Sequence, residues 1–446
     1  MNKIVEEYKK RVCGNHVVKK PRERIVMLIS AGFSIAKGYP SGNALNEQFC
    51  KFLPDEFCFA PNGELMSMSI PKSNYKTDYI HDYNVYQKSY LLLCEMIKYY
   101  VNKYGKELFD YERFYDAINI EYRKEEPLCF DIWSEEYSKL ATKYTEDNLP
   151  YERLVANFSI IYDQLIAFFL KGKRNSLFYE DVKTSIDYDK DYSVFLQYLK
   201  ERSRDSIIDV FSTNHDLVFE SFRNIQDFRD IISDGFDDYG SEYFGEIEVD
   251  RFKYKCRLER YTGKYNTPIR LYKLHGSVDY ILYHKNKKIR RTVNGYKVEE
   301  NYAIPLKYVK IKQGINPYDI VKSTRCKREY MYLSTAIRPD FLSGAQTKIK
   351  KYNNPLLYKK LFRQFAKCLR EADKLIIIGY GCNDTIINEY VNKNFNDSSK
   401  RAYMINPDAN NLVSKLEINI VPIPEVVDKG IDTLKELITH ECRHIE

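Results

Sequence analysis

The sequence predicts an α/β fold, a Rossmann-like parallel sheet with a large helical insertion. Three observations carry that expectation. Ile25 to Ile29 and Leu375 to Ile378 are short runs without a polar side chain, as strands buried on both faces require. Four strand candidates run into small or polar residues: Ala31-Gly32, Thr213-Asn214-His215-Asp216, His275-Gly276-Ser277 and Gly379-Tyr380-Gly381. Between the first and second of these ends lies a long stretch whose apolar residues recur at helical spacing.

Each element has its own local signal. Residues 1–20 read as a short amphipathic helix and a basic linker ending at Pro21. The strand from Ile25 leads into Ser30, Ala31, Gly32 and Ser34, and a helix over Asn43 to Phe52 has Ser41 as its candidate N-cap. Residues 59–80, rich in Ser, Asn and Pro, predict a loop or lid. Tyr90, Leu93, Met96, Ile97 and Val101 then mark a helix, followed by helices through 106–120 and from Leu154 to Leu170, with a looser connection at 125–150. Ser206 to Ser212 and Tyr272 to Leu274 read as strands, with an acidic surface loop at 234–249 between them. Residues 278–330 suit a β-hairpin and hold the most basic run, His284 to Arg291. A helix at 352–370, the strand Lys374 to Ile378, a helix through Ile387 and Val391, strands at Arg401 to Ile405 and Glu417 to Val421, and a helix at 427–440 complete the chain. The expected partition is an N-terminal extension at 1–20, a sheet domain over 21–84 and 201–446 with a basic β insertion near 281–330, and a helical insertion subdomain at 85–200.

Composition excludes several classes. A chain of 446 residues with 44% hydrophobic content can bury a sizeable core, and its longest apolar runs fall short of a membrane span. The opening MNKIVEEYKK lacks the apolar centre of a secretory signal. Ten cysteines without a regular framework suggest free thiols and a cytoplasmic location. A net charge of +7 among 133 charged residues is too mild to argue for nucleic acid, so direct nucleic-acid contact rests on the basic run alone. The 40 tyrosines fit half-buried rings and subunit contacts, as in a homo-oligomer, or equally a coding bias toward Tyr, Lys, Asn and Ile.

In an open parallel sheet the crevice at the carboxyl ends of the strands is the usual ligand site, and the four polar strand ends converge there. At this point the motifs resemble a known family, the sirtuin-like NAD-hydrolase effectors of bacterial antiphage defence. That family carries a GAGxS opening followed by GxP, a TxNxD motif, a histidine in HG, and a late GYS-like loop with an acidic residue. The matching residues are Ser30-Ala31-Gly32-Phe33-Ser34, Gly38-Tyr39-Pro40, Thr213-Asn214-His215-Asp216, His275-Gly276-Ser277, and Gly379-Tyr380-Gly381-Cys382-Asn383-Asp384; Asp110 to Phe114 is similar to a helix of the inserted part. The chain departs from the family in three places. Ser30 stands for the first glycine, Ser41-Gly42-Asn43 replaces the acidic-aromatic-arginine sequence after GxP, and no CxxC pair exists for the zinc module of the deacylating sirtuins.

The resemblance implies a sirtuin-like sheet and cleavage of NAD⁺, with NAD⁺ as substrate and no metal. Asn214 and His275 are the implied catalytic pair: an amide that meets ribose hydroxyls or water without adding charge, and a base for a ribose hydroxyl or that water. Asp216 either holds the nicotinamide carboxamide or caps the following helix, and His215 packs or orients. Ala31, Gly32, Phe33, Ser34, Pro40, Thr213, Gly276 and Gly379 are expected along the dinucleotide, and Tyr380, Asp384 and Asn406 at its adenosine end, with Asp384 equally placed to cap a helix. The implied activity is an NAD⁺ glycohydrolase that drains NAD⁺ in abortive infection. It would be switched by self-assembly or by a partner such as an ATPase, a short Argonaute or a nucleotide-processing protein. The alternatives are a non-catalytic NAD or ADP-ribose-binding subunit, and a cyclase or ADP-ribosyltransferase using the same site.

Overall fold

The computed structural model describes residues 22–443 except 36, 52–53, 55, 60–62, 64, 68–83, 119–130, 147–148, 171–186, 238–242, 250–251, 294–295, 311–330, 334–339, 342–355 and 398. The N-terminal helix at 1–20 and most of the lid at 59–80 therefore lie outside the described residues.

Seven strands form the central sheet: β1 (Glu23–Ile29), β2 (Ser206–Ser212), β3 (Ile232–Ser233), β4 (Ile269–Lys273), β5 (Lys374–Ile378), β6 (Arg401–Ile405) and β7 (Ile420–Ile423). Their spatial order is β7-β6-β5-β1-β2-β4-β3, and every pair is parallel. The Rossmann-like α/β expectation holds. Strand alternation explains the burial on both faces. Ile25, Met27 and Ile29 of β1 join one apolar core together with Ile376, Ile378, Tyr403 and Ile405, while Val26 and Leu28 join a second with Leu375, Ile377, Ala402 and Met404.

Helices cover both faces. The first core takes in α2 (Gly42–Lys51), α3 (Val85–Tyr104), α4 (Tyr111–Ile118), α5 (Phe158–Leu170), α6 (Ser193–Arg202) and the terminal α9 (Val427–Arg443). The second takes in α7 (Leu356–Glu371) and α8 (Thr385–Asn394). Several sequence expectations shift locally. Leu154 to Leu170 is broken at Ala156-Asn157 into a short helix, Tyr151–Val155, and α5. Together they are long and apolar enough to cross a membrane, yet half of the stretch is buried here, with Ile161, Leu165 and Ile166 inside the core. Residues 125–150 contain a helix, Glu135–Leu140.

Within the acidic loop expected at 234–249, two described segments are instead strands. Gly235–Asp237 and Tyr243–Val249 pair with Phe252–Lys264 in a six-stranded sheet completed by Tyr280–Val293, Tyr296–Lys310 and Met331–Leu333. Glycine and aspartate content masked the alternation in YFGEIEV. Half-buried tyrosines are present, Tyr86, Tyr99 and Tyr188 among them, and others lie deeper. Tyr90, Tyr137, Tyr162, Tyr192, Tyr198, Tyr272 and Tyr403 are fully buried. Several hydroxyls are tied internally, Tyr162 to the Tyr111 carbonyl at 2.8 Å and Tyr272 to Asp209 at 3.1 Å.

At the sheet centre the chain leaving β1 proceeds toward β2, and the chain leaving β5 toward β6 on the other side, so a topological switch point opens between β1 and β5. Two glycines make the crossing possible. A Cβ on Gly32 would lie 2.6 Å from the Gly379 Cα, and one on Gly379, whose φ is +65°, would lie 2.4 Å from the Phe33 nitrogen. Gly32 N–H donates to the Gly379 carbonyl at 3.0 Å and Ser30 N–H to the Ile378 carbonyl at 3.1 Å. Gly379→Ala should therefore lose at least about 2 kcal/mol of stability, from forced contact plus the left-handed backbone. Gly381→Ala, whose Cβ would meet only the Asn383 side chain at 3.6 Å, should be near neutral, and urea titration of both variants checks the difference.

Candidate functional site

Five strand ends reach the crevice: Ser30 after β1, Thr213 after β2, Leu274 after β4, Gly379 after β5 and Asn406 after β6. Backbone bonds tie them in sequence. Thr213 N–H donates to the Ile29 carbonyl at 3.0 Å, Leu274 N–H to the Ser212 carbonyl at 2.8 Å, and Val278 N–H to the His215 carbonyl at 3.0 Å.

Asn214 is buried, 8% exposed. Its Nδ2 donates to the Ser30 carbonyl and to Ser34 Oγ, both at 3.0 Å, and its own N–H donates to Ser212 Oγ at 3.1 Å. The Ser30 carbonyl can only accept, so the amide nitrogen must face it and Oδ1 faces away. Both amide hydrogens are thus committed, and the side chain presents an acceptor. Thr213 Oγ1 donates to Ser30 Oγ at 2.8 Å, so the serine at the first glycine position adds a hydroxyl bridge between β1 and β2.

His275, 5% exposed, places Nε2 3.3 Å from Asp384 Oδ2. The other carboxylate oxygen of Asp384 accepts from the backbone N–H groups of Ile386 and Ile387 at 3.1 Å each, capping α8. The capping alternative for Asp384 is what the structure shows, with a histidine contact added. Gly276, at φ +79°, pairs with Phe341 in a short antiparallel bridge beside His275. The rings of His215 and His275 are 6.1 Å apart.

The remaining candidates sort by what their side chains touch. Asp216 Oδ1 accepts from Val218 N–H at 2.9 Å, a turn contact just ahead of the short helix Val218–Ser221, whose N-cap position is Leu217. Ala31 and Gly32 sit in α1 (Ala31–Ile35) at the crossing, and Pro40 is half-buried after it. Phe33 contributes backbone alone: its ring is fully buried, 5.0 Å from Tyr192 and 5.2 Å from Phe195, and its carbonyl accepts from the Tyr192 hydroxyl at 2.7 Å. Tyr380 is also packed inward, its hydroxyl donating to the Asp384 carbonyl at 3.0 Å and meeting Asn388 Oδ1 at 2.8 Å; burial pushes its ionisation well above the phenol range. Asn406 spans to the Tyr380 carbonyl at 3.2 Å. Cys382 holds a positive φ of 55°, and burial pushes its thiol up to about 11. Among the described residues no group of His, Cys, Asp and Glu could hold a metal ion.

A layer of buried charge beneath the site went unread in the sequence. Lys273, at the end of β4, pairs with Glu220 at 3.1 Å and donates to the Asp216 carbonyl. Lys307, on the strand Tyr296–Lys310, pairs with Asp234 and lies 4.0 Å from Asp279, and Arg223 meets Asp234 at 3.1 Å. All but Arg223 are under 5% exposed. Burial raises the Glu220 and Asp279 carboxyls despite the lysines; at Asp234 burial is outweighed by Arg223 and Lys307, which hold it far below the carboxylate range. A lone lysine in LYKLHG and a lone glutamate in VFES were the only sequence signals.

No family model matches the chain, and no curated protein does. Among solved structures it is similar to a Sir2 homologue in complex with NAD, at 11% identity over 99% of this chain and 95% of that one, with a TM-score of 0.32. It is similar also to a structure described as the structural basis of sirtuin substrate affinity (10% identity, 94% and 96% covered, TM-score 0.29) and to Sir2Tm bound to a propionylated peptide (9% identity, 93% and 93% covered, TM-score 0.29). Identity and overlap at this level leave function to the chain's own geometry.

The depressed Asp234 carboxyl stabilises the fold above the unfolded aspartate value near ~3.9, and that contribution is lost as pH falls through the folded value. Asp234→Asn should therefore cost about 3–5 kcal/mol near neutral pH, by stranding Lys307 and Arg223. The gap from wild type should narrow in acid. Denaturant unfolding at about pH 7 and about pH 3 checks both signs.

Proposed function

We propose that the chain is a sirtuin-like NAD⁺ glycohydrolase that releases nicotinamide and ADP-ribose. The observation that carries this reading is the Asn214 amide, locked by Ser30 and Ser34 at the end of β2, beside the His275 strand end in one crevice at the switch point.

The chemistry asks little of a leaving-group acid. Nicotinamide departs from the ribose as a neutral ring from a cationic one, so the site must hold the ribose, bear oxocarbenium-like charge and present water. Asn214 Oδ1, an uncharged acceptor held in place by both amide hydrogens, suits a ribose hydroxyl or the attacking water. His275 is the base for that hydroxyl or water, a role worth roughly 10²–10⁴-fold. The small residues Ser30, Ala31 and Gly32 at the strand-to-helix turn after β1 suit close backbone approach by a pyrophosphate.

The order of the motifs, similar to antiphage effectors, supports a role in which NAD⁺ is drained on infection and activity is switched by self-assembly or by a separate partner. Purified chain incubated with NAD⁺ over a protein concentration series, with products separated by chromatography, should yield nicotinamide and free ADP-ribose. Asn214→Ala and His275→Ala should each cut turnover by about 10² or more. A cyclic product would reassign the acceptor from water to a ribose hydroxyl, and binding without turnover at any concentration would point to a separate partner as the switch or to a binding subunit.

A further inference from the structure

We infer that Asp384 is the positioning residue for His275, fixing which ring nitrogen carries the proton. The inference rests on the proposed role of His275 as base, but its geometry stands by itself. A base that works from a neutral imidazole needs one nitrogen protonated and the other presenting a lone pair, and a carboxylate at one nitrogen settles the choice. Asp384 Oδ2 lies 3.3 Å from Nε2 of a histidine that is 5% exposed. The carboxylate accepts only, so it selects the tautomer with hydrogen on Nε2 and gives the lone pair to Nδ1.

Asp384 is itself rigidly held. Its Oδ1 takes two backbone N–H groups at the start of α8, a ten-residue helix, so the carboxylate cannot swing away without uncapping it. The preceding loop is fixed as well: the Tyr380 hydroxyl donates to the Asp384 carbonyl, and Asn388 Nδ2 donates to the Cys382 carbonyl at 3.0 Å. His275 is held from its own side by the β4 end and by Val278 N–H on the His215 carbonyl. Two independent scaffolds, β4 and the β5–α8 turn, thus bring one oxygen to one nitrogen. Catalytic contacts in sites without substrate are often of this length.

Two substitutions separate positioning from capping. Asp384→Ser keeps a good helix cap and removes the oxygen facing His275. Asp384→Asn also keeps the cap, but turns an NH₂ donor toward Nε2, which then must accept; in serine proteases the same exchange yields the wrong tautomer and costs about 10⁴-fold. The experiment labels the histidines with ¹⁵N in the full chain and reads ring tautomers by NMR, with His275→Gln assigning the signal. The expected result is an Nε2–H ring in the wild type and an Nδ1–H ring in Asp384→Asn. An unchanged tautomer overturns the inference whether or not the protein turns over NAD⁺.

The kinetic arm follows nicotinamide release. Asp384→Ser should melt like the wild type, lose about 10²-fold in kcat and move KM for NAD⁺ by less than about threefold. A raised KM with kcat intact would make Asp384 a substrate contact instead, and full activity would overturn the inference. A wild type without turnover but with an Asp384-dependent tautomer would sink the hydrolase reading alone.

Discussion

Everything at the centre of this fold depends on the contact between two backbones with no side chain between them. Gly32 and Gly379 cross at the carboxyl ends of β1 and β5, where the connections part to opposite sides of the sheet. That approach lets Ser30 donate to the end of β5 while its carbonyl and hydroxyl meet Asn214 and Thr213 just after β2. A methyl group on either glycine would push the two halves of the sheet apart. The site is therefore a property of the crossing before it is a property of any catalytic side chain.

The site is supported from two directions of unlike chemistry. On one side Phe33 is wedged into an aromatic cluster of the helical block, with Tyr192 closing on its carbonyl. On the other, buried lysines and carboxylates connect β4, the loop after β2 and the second sheet. Apolar packing is tolerant of small shifts, whereas a buried ion pair loses most of its worth when one partner moves. The His275 side is thus the more sharply fixed of the two.

Much of this was legible from residue order. Apolar runs such as Ile25 to Ile29 announced strands buried on both faces, and the polar residues following them announced one crevice. The amide of Asn214 was found in that way, but its commitment as an acceptor was not, because Ser30 and Ser34 lie some 180 residues away. Phe33 and Tyr380 read as ligand contacts by adjacency, yet helical and turn geometry aim both rings inward. The strands Gly235–Asp237 and Tyr243–Val249 read as a loop because glycine and acid content outweighed their alternation. The Lys273 and Lys307 pairs stayed hidden because a buried charge is recognisable only when its counter-charge is placed, and those come from other segments.

The pairing of β1 with β5 also sets a schedule for synthesis. Ile25 aligns with Lys374, and Ile29 with Ile378, so the first strand of the sheet waits for a neighbour made some 349 residues later. At ~5–20 residues per second a ribosome takes roughly 20–70 s to cover that distance. Until then Ser30 lacks its β5 acceptor, His275 lacks Asp384, and the crevice has one wall. The site is thereby completed only late in synthesis, and messages cut short before Gly379 yield only a partial sheet.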